Sequence, residues 1–185
     1  MVDKVAEALG VVHYYHSHEA NQLIHVICTP FILLGLLTFT AYVIPTYAFL
    51  ALSIAAPIGY IVHLYNWDHL VTTIWAFAYV GLSYTSHSLV AEGGAVQSLF
   101  DLFVVWLLLL AIPGFIQVRV GHHVFQKRNP EFDLYDGAVL TPFYVVATVL
   151  FFFGYNEDLR RRMEREAAKL EITGHGLYLK KKNQD

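Results

Sequence analysis

From Ala20 to Trp67 the chain has no Asp, Glu, Lys or Arg, and apolar residues run almost unbroken. Turn-forming and polar residues divide the apolar sequence into five runs. The first, 23–44, is closed by Pro45, and the second, 47–65, carries His63 near its end. The third, 70–91, stops at Glu92-Gly93-Gly94, and the fourth, 99–118, holds Pro113 and Gly114, which predict a kink. A polar stretch, 119–136, leads to a fifth run, 138–155, with Pro142 near its start. The first four runs approach the roughly 20 residues a spanning helix needs, and the fifth lies at the short end of that range. Lone prolines inside such runs are tolerated because neighbouring helices satisfy the freed backbone groups. Residues 3–20 predict a short amphipathic or interfacial segment. The pattern predicts an all-α, polytopic membrane helical bundle: four spanning helices plus a fifth apolar element, half-buried or spanning.

Composition agrees. The chain is 56% hydrophobic with mean hydropathy +0.47, too apolar for an ordinary soluble domain of this size. Fourteen of the 27 charged residues follow Tyr155. That contrast separates a membrane-embedded domain, 1–156, from a charged tail, 157–185. The net charge of -3 gives no sign of nucleic-acid binding. Cys28, the single cysteine, has no intramolecular disulfide partner and reads as a small hydrophobe.

Basic residues near membrane ends fall in two clusters. Arg119, Lys127 and Arg128 precede the fifth run, and Arg160, Arg161, Arg162 and Arg165 follow it. The positive-inside rule places both clusters in the cytosol. One pass of the fifth run cannot satisfy that, whereas a re-entrant or surface element can. Four spans, a half-buried fifth element and two cytosolic termini follow. Five spans with the tail across the membrane is the alternative.

The ten histidines then acquire a pattern. Four spans put His13, His16, His18, His25, His63, His69, His122 and His123 at one membrane face. His87 falls on the other, and His175 lies in the tail. Ionisable groups at membrane depth are functional candidates, and imidazole is the commonest metal ligand. Together these predict a membrane-embedded metal site. His18, Asn21 and His25 share a helical stripe. His16, nine residues before His25, is half a turn off that stripe, so it joins the site only if the helix begins after it or bends. Asp68 either orients a ligand histidine through its second ring N–H or caps the third span. The aromatic residues belong to membrane packing and interfacial belts.

Two segments carry a resemblance. One is Tyr15-His16-Ser17-His18-Glu19-Ala20-Asn21-Gln22-Leu23-Ile24-His25, followed by Pro30. The other is Gly121-His122-His123-Val124-Phe125-Gln126-Lys127-Arg128-Asn129-Pro130, followed by Thr141-Pro142-Phe143. In these blocks the chain resembles the membrane family typified by the fungal 2-hydroxy fatty acid α-dioxygenase of the endoplasmic reticulum. It departs at Gln126, where that family commonly has Glu, and at His123, where a small residue is common.

The resemblance implies an iron(II)-dependent dioxygenase of fatty acid α-oxidation in phytosphingosine and sphingolipid breakdown, in the endoplasmic reticulum membrane. The implied partners are a long-chain 2-hydroxy fatty acid, O2 and the bilayer. Cleavage of the acid to CO2 and a one-carbon-shorter acid supplies four electrons, matching one O2. Imidazole ligands with open positions suit non-haem iron. The expected ligands are His16, His25 and His122, with His18, His63 and His69 competing for the remaining positions and Asn21 as a supporting residue. Arg119, Lys127 or Arg128 would hold a carboxylate or reach lipid phosphate.

Three rivals carry distinct signatures. A di-iron desaturase would show several histidine clusters, and His122-His123 is the only adjacent pair. A bis-histidine haem electron carrier would use His25 with His63. A lipid-binding scaffold would leave every histidine structural.

Overall fold

The computed structural model describes residues 2–128 and 136–173. All regular structure among them is helical. α1 spans Val2–Tyr14, α2 Glu19–Val43, α3 Thr46–Leu64 and α4 His69–Val90. α5 runs unbroken over Leu99–Gln126. A π-helical turn, Asp136–Leu140, leads into α6, Thr141–Phe152, and α7 spans Glu157–Thr173. His175 and the lysine-rich end lie outside the described residues.

α2, α3 and α5 are long and apolar enough to cross a membrane. α2, at 25 residues, reaches about 37 Å, more than a hydrocarbon core of about 30 Å. α4 has 22 residues but carries Thr72, Thr73, Ser83, Thr85, Ser86 and Ser88, so it falls short on apolarity rather than length. Large apolar side chains stay exposed along all four, among them Ile27, Ile54, Phe77 and Phe103. That suits a lipid surround rather than water.

α2 is the central helix, packing against α4, α5 and α6. The main apolar core lies at one end of the bundle. There Val5, Leu9 and Val12 of α1 meet Leu64, Val71, Phe143, Tyr144 and Ala147, with Leu159 and Met163 of α7. α1 and α7 cross closely at Gly10, where a Cβ would sit 2.6 Å from Glu166 Cβ. The opposite end holds a smaller core of Leu37, Ala41 and Phe49.

α5 departs most from the sequence pattern. A kink at Pro113-Gly114 and a connection from Arg119 are predicted; the helix instead continues eight residues further, to Gln126. It is α-helical over Leu99–Trp106 and Ile112–Phe115 and π-helical over Leu107–Ala111 and Ile116–Gln126. The wider winding absorbs the proline without a break, and His122 lies on a helix rather than in a loop. α-Winding would set Gln117 and His122 about 140° apart. At about 4.4 residues per turn, a π-helix brings Gln117, His122 and Gln126 onto one face, the one that meets α2.

α6 does not traverse the bundle. Before it, Val139 O accepts from Tyr60 Oη at 3.0 Å, near the end of α3. After it, Tyr155 Oη and Asn156 Nδ2 each donate to Asp68 at 3.0 Å, at the start of α4. Both ends of the element are thus tied to the same end of the α3–α4 hairpin.

Candidate metal centre

His16, His25 and His122 converge. Each offers one ligand atom, and these atoms lie within 4.8 Å of one another, with all three residues buried. His25 Nε2 and His122 Nε2 are 3.2 Å apart. The His16 ring lies 4.2 Å from that of His25 and 4.8 Å from that of His122, edge to face with both.

Local structure explains how each arrives. α1 ends at Tyr14 and α2 begins at Glu19, so His16 sits in the turn, free of the α2 register. The helix begins after it, as its membership of the site requires. Its Nδ1–H donates to Val12 O at 2.6 Å, which fixes the tautomer and leaves the Nε2 lone pair for a metal. Burial draws the His16 imidazole down to about 3, so it stays neutral, the state a metal requires, at physiological pH.

Asn21, fully buried, holds the turn against the helix pair. Its Nδ2 donates to Tyr15 O at 3.1 Å. Its Oδ1 rests on Gly121, where any Cβ would collide with it. The glycine before His122 therefore lets α5 approach α2. One turn deeper on the same interface, Gln117 Nε2 donates to Thr29 Oγ1 at 3.0 Å.

Gln126 is not a ligand. Its Oε1 accepts from His18 N at 2.9 Å, and its Nε2 donates to Ser17 Oγ at 2.9 Å and Tyr14 O at 3.3 Å. It staples the α1–α2 turn to the end of α5, using both halves of the amide. Arg128 extends the staple: it donates to Tyr14 O at 2.7 Å, covers the Tyr14 ring and pairs with Glu171.

The competing positions fall elsewhere. His18 is exposed and caps α2, its Nδ1 accepting from Ala20 N at 3.2 Å. His63 is exposed on α3 and lies near Trp67. His69 is exposed and stacks on Tyr65 at 4.2 Å. None joins the cluster: His18 is turned outward as the α2 cap, and the α3–α4 turn that carries His63 and His69 approaches α6 and α7 rather than the α2–α5 interface. Asp68 caps α4, accepting from Leu70 N and Val71 N, and takes its other bonds from Tyr155 and Asn156. Among the described residues it orients no histidine. Arg119 and Lys127 are exposed.

Tyr144, buried on α6, is the contact that sequence reasoning missed. Its hydroxyl lies 2.8 Å from His13 Nδ1 and 3.4 Å from His16 O. It directly follows the Thr141-Pro142-Phe143 block, the only sequence signal available.

Three neutral imidazoles are a donor set that suits a transition-metal ion. Behind the facing Nε2 atoms, His25 Nδ1, His122 Nδ1 and Asn21 Oδ1 are buried without a hydrogen-bond partner among the described protein atoms, and coordination through Nε2 leaves them so. Such groups gather at functional sites. Two nitrogens about 2.0–2.1 Å from one ion, at about 100° to one another, lie about 3.2 Å apart. That matches the 3.2 Å between His25 and His122. Comparison with family models, curated proteins and solved structures found no match in any of the three.

Proposed function

We propose that this protein is a multi-pass membrane enzyme whose His16–His25–His122 centre holds iron(II) and cleaves long-chain 2-hydroxy fatty acids oxidatively, releasing a one-carbon-shorter acid. The observation that carries the proposal is the burial of three imidazoles, with ligand atoms within 4.8 Å of one another, at the end of an apolar bundle. A three-imidazole set suits several transition metals, zinc and iron among them. The choice of iron and of substrate rests on the resemblance in the Tyr15–His25 and Gly121–Pro130 blocks. When bound, iron with open positions would supply oxygen activation and chelation of a 2-hydroxy acid. The chain's own residues hold the imidazoles in place: Val12 O through His16, Asn21 through the turn, and Gln126 through His18.

The same reading gives four spans, α2 to α5, with both termini cytosolic in the endoplasmic reticulum membrane. α4 crosses because the tight turn at 65–68 returns it along α3. α6 lies half-buried at the cytosolic end, which agrees with its two anchors, Tyr60 and Asp68. Eight histidines then share that end. The haem alternative is disfavoured: His25 meets His122 rather than His63, and His16 packs against both rings. That leaves no flat gap for a macrocycle.

The deciding experiment measures metal content and oxygen uptake with 2-hydroxypalmitate in purified protein. Stoichiometric iron, substrate-driven uptake and the shortened acid are expected. Full metal loading without turnover would overturn the reaction, and absence of any bound transition metal would overturn the centre.

A further inference from the structure

α2 and α5 pass each other in opposite directions and meet at three matched positions. Asn21 rests on Gly121, His25 faces His122, and Thr29 Oγ1 accepts from Gln117 Nε2 at 3.0 Å. On α2 these residues are four apart, so Thr29 lies about 6 Å along the axis from His25. On α5 the step from Gln117 to His122 is five residues. α-Winding would stretch that step to about 7.5 Å and turn His122 about 140° away from Gln117. Bonds from i to i+5 instead put five residues into roughly one turn, and α5 is π-helical from Ile116 to Gln126. The π segment brings both residues into register with one α turn of α2.

Gln117 is the polar exception in its own stretch. Apart from Trp106, it has the only hydrogen-bonding side chain between Asp101 and Arg119. Its neighbours Phe115 and Val118 are exposed apolar residues that suit lipid. An amide among such residues is unfavourable without a partner, and Thr29, buried on α2, is that partner.

We propose that Gln117 is a positioning residue of the metal centre: bonded to Thr29, it fixes the rotation and height of α5 one turn before His122 and so holds His122 against His25. This rests on the reading of the triad as a metal centre, and on no choice of metal or substrate. His122 is then held from both sides, by Gln117 before it and by Gln126, bonded to His18 N and Ser17 Oγ, after it. A comparable bond elsewhere on α2 serves as a control. Thr38 Oγ1 lies 3.3 Å from Ser86 Oγ and joins α2 to α4, about 20 Å along the helix from His25.

The test measures cobalt(II) affinity by chelator competition on the full chain in detergent, with the cobalt ligand-field spectrum as a second readout. Gln117→Leu and Thr29→Val should each weaken binding about tenfold, as loss of an outer support does, and should alter the spectrum. Thr29→Ser keeps the hydroxyl and should match wild type in both. Thr38→Val should also match wild type in both, whatever its effect on the denaturation midpoint. The two Thr29 variants decide the matter even if Gln117→Leu does not fold. Equal affinity and spectra in Thr29→Val and Thr29→Ser, or an equal loss in Thr38→Val, would overturn the positioning role. Absence of cobalt binding by the wild-type chain would overturn the metal centre itself, which is a separate failure.

Discussion

His25 and His122, 97 positions apart in the chain, bring their Nε2 atoms to 3.2 Å. Each leaves its Nδ1 buried and unpartnered. An imidazole pair in this state satisfies one hydrogen bond between the rings and forgoes two others. A metal would replace the inter-ring hydrogen bond with two coordination bonds through Nε2, while the two Nδ1 atoms keep no protein partner.

Alanine at His25 or His122 should therefore abolish metal retention. Metal per chain, measured on purified protein, should fall from about one to near zero, a loss above the roughly 10–100-fold that removal of an outer supporting residue produces. His18→Ala, His63→Ala and His69→Ala should keep wild-type metal content. Loss of metal in any of these three would contradict the three-histidine set.

Gly121 and Asn21 make a second test. Gly121→Ala inserts a methyl group where Asn21 Oδ1 rests. Overpacking of this kind costs about 1–3 kcal/mol. The α2–α5 separation must grow to relieve it, so metal affinity should drop about tenfold. Unchanged affinity in a metal titration would mean that the contact does not set the spacing of His25 and His122.

Gln126→Glu restores the residue common in the resembling family. Here it should destabilise, because a carboxylate oxygen would face Tyr14 O in place of the donating Nε2. A stability decrease of about 1–3 kcal/mol is expected, read as a lower denaturation midpoint, with metal content retained. Higher stability, or a change in the bound metal, would show Gln126 to be more than a staple.

Asp68→Ala separates capping from ligand orientation. The carboxylate accepts from two backbone amides of α4 and from Tyr155 and Asn156. Its loss should exceed the roughly 1 kcal/mol of an ordinary cap and loosen the α6–α7 link. Metal content should not change. A variant that folds normally but loses metal would return Asp68 to the site.

The helices and the ligand set were legible in different ways. Hydropathy is a local property, so the five apolar runs, the break at Pro45 and the polar turn before α4 can be read directly from the chain. Helix winding is not local in that sense. Arg119 and the two histidines after it predict a helix end at Val118, whereas the π-helical winding carries them on to Gln126. His16, His25 and His122 lie in the two motif-like blocks, and the tertiary structure brings them together. His63 and His69, candidates by predicted topology, lie outside the cluster, because a predicted common face does not fix lateral position.

Hydropathy along the chain carries the all-helical architecture, and of the four spans it predicts three helices are long and apolar enough to cross a membrane; the two histidine-bearing blocks are also legible there. Which histidines meet is a property of the folded chain. That choice depends on contacts between segments far apart in sequence: Gly121 admitting Asn21, Gln126 gripping the α1–α2 turn, and Tyr144 closing over His16. Such contacts are set by packing geometry at ångström scale, and hydrophobic periodicity carries no information about them.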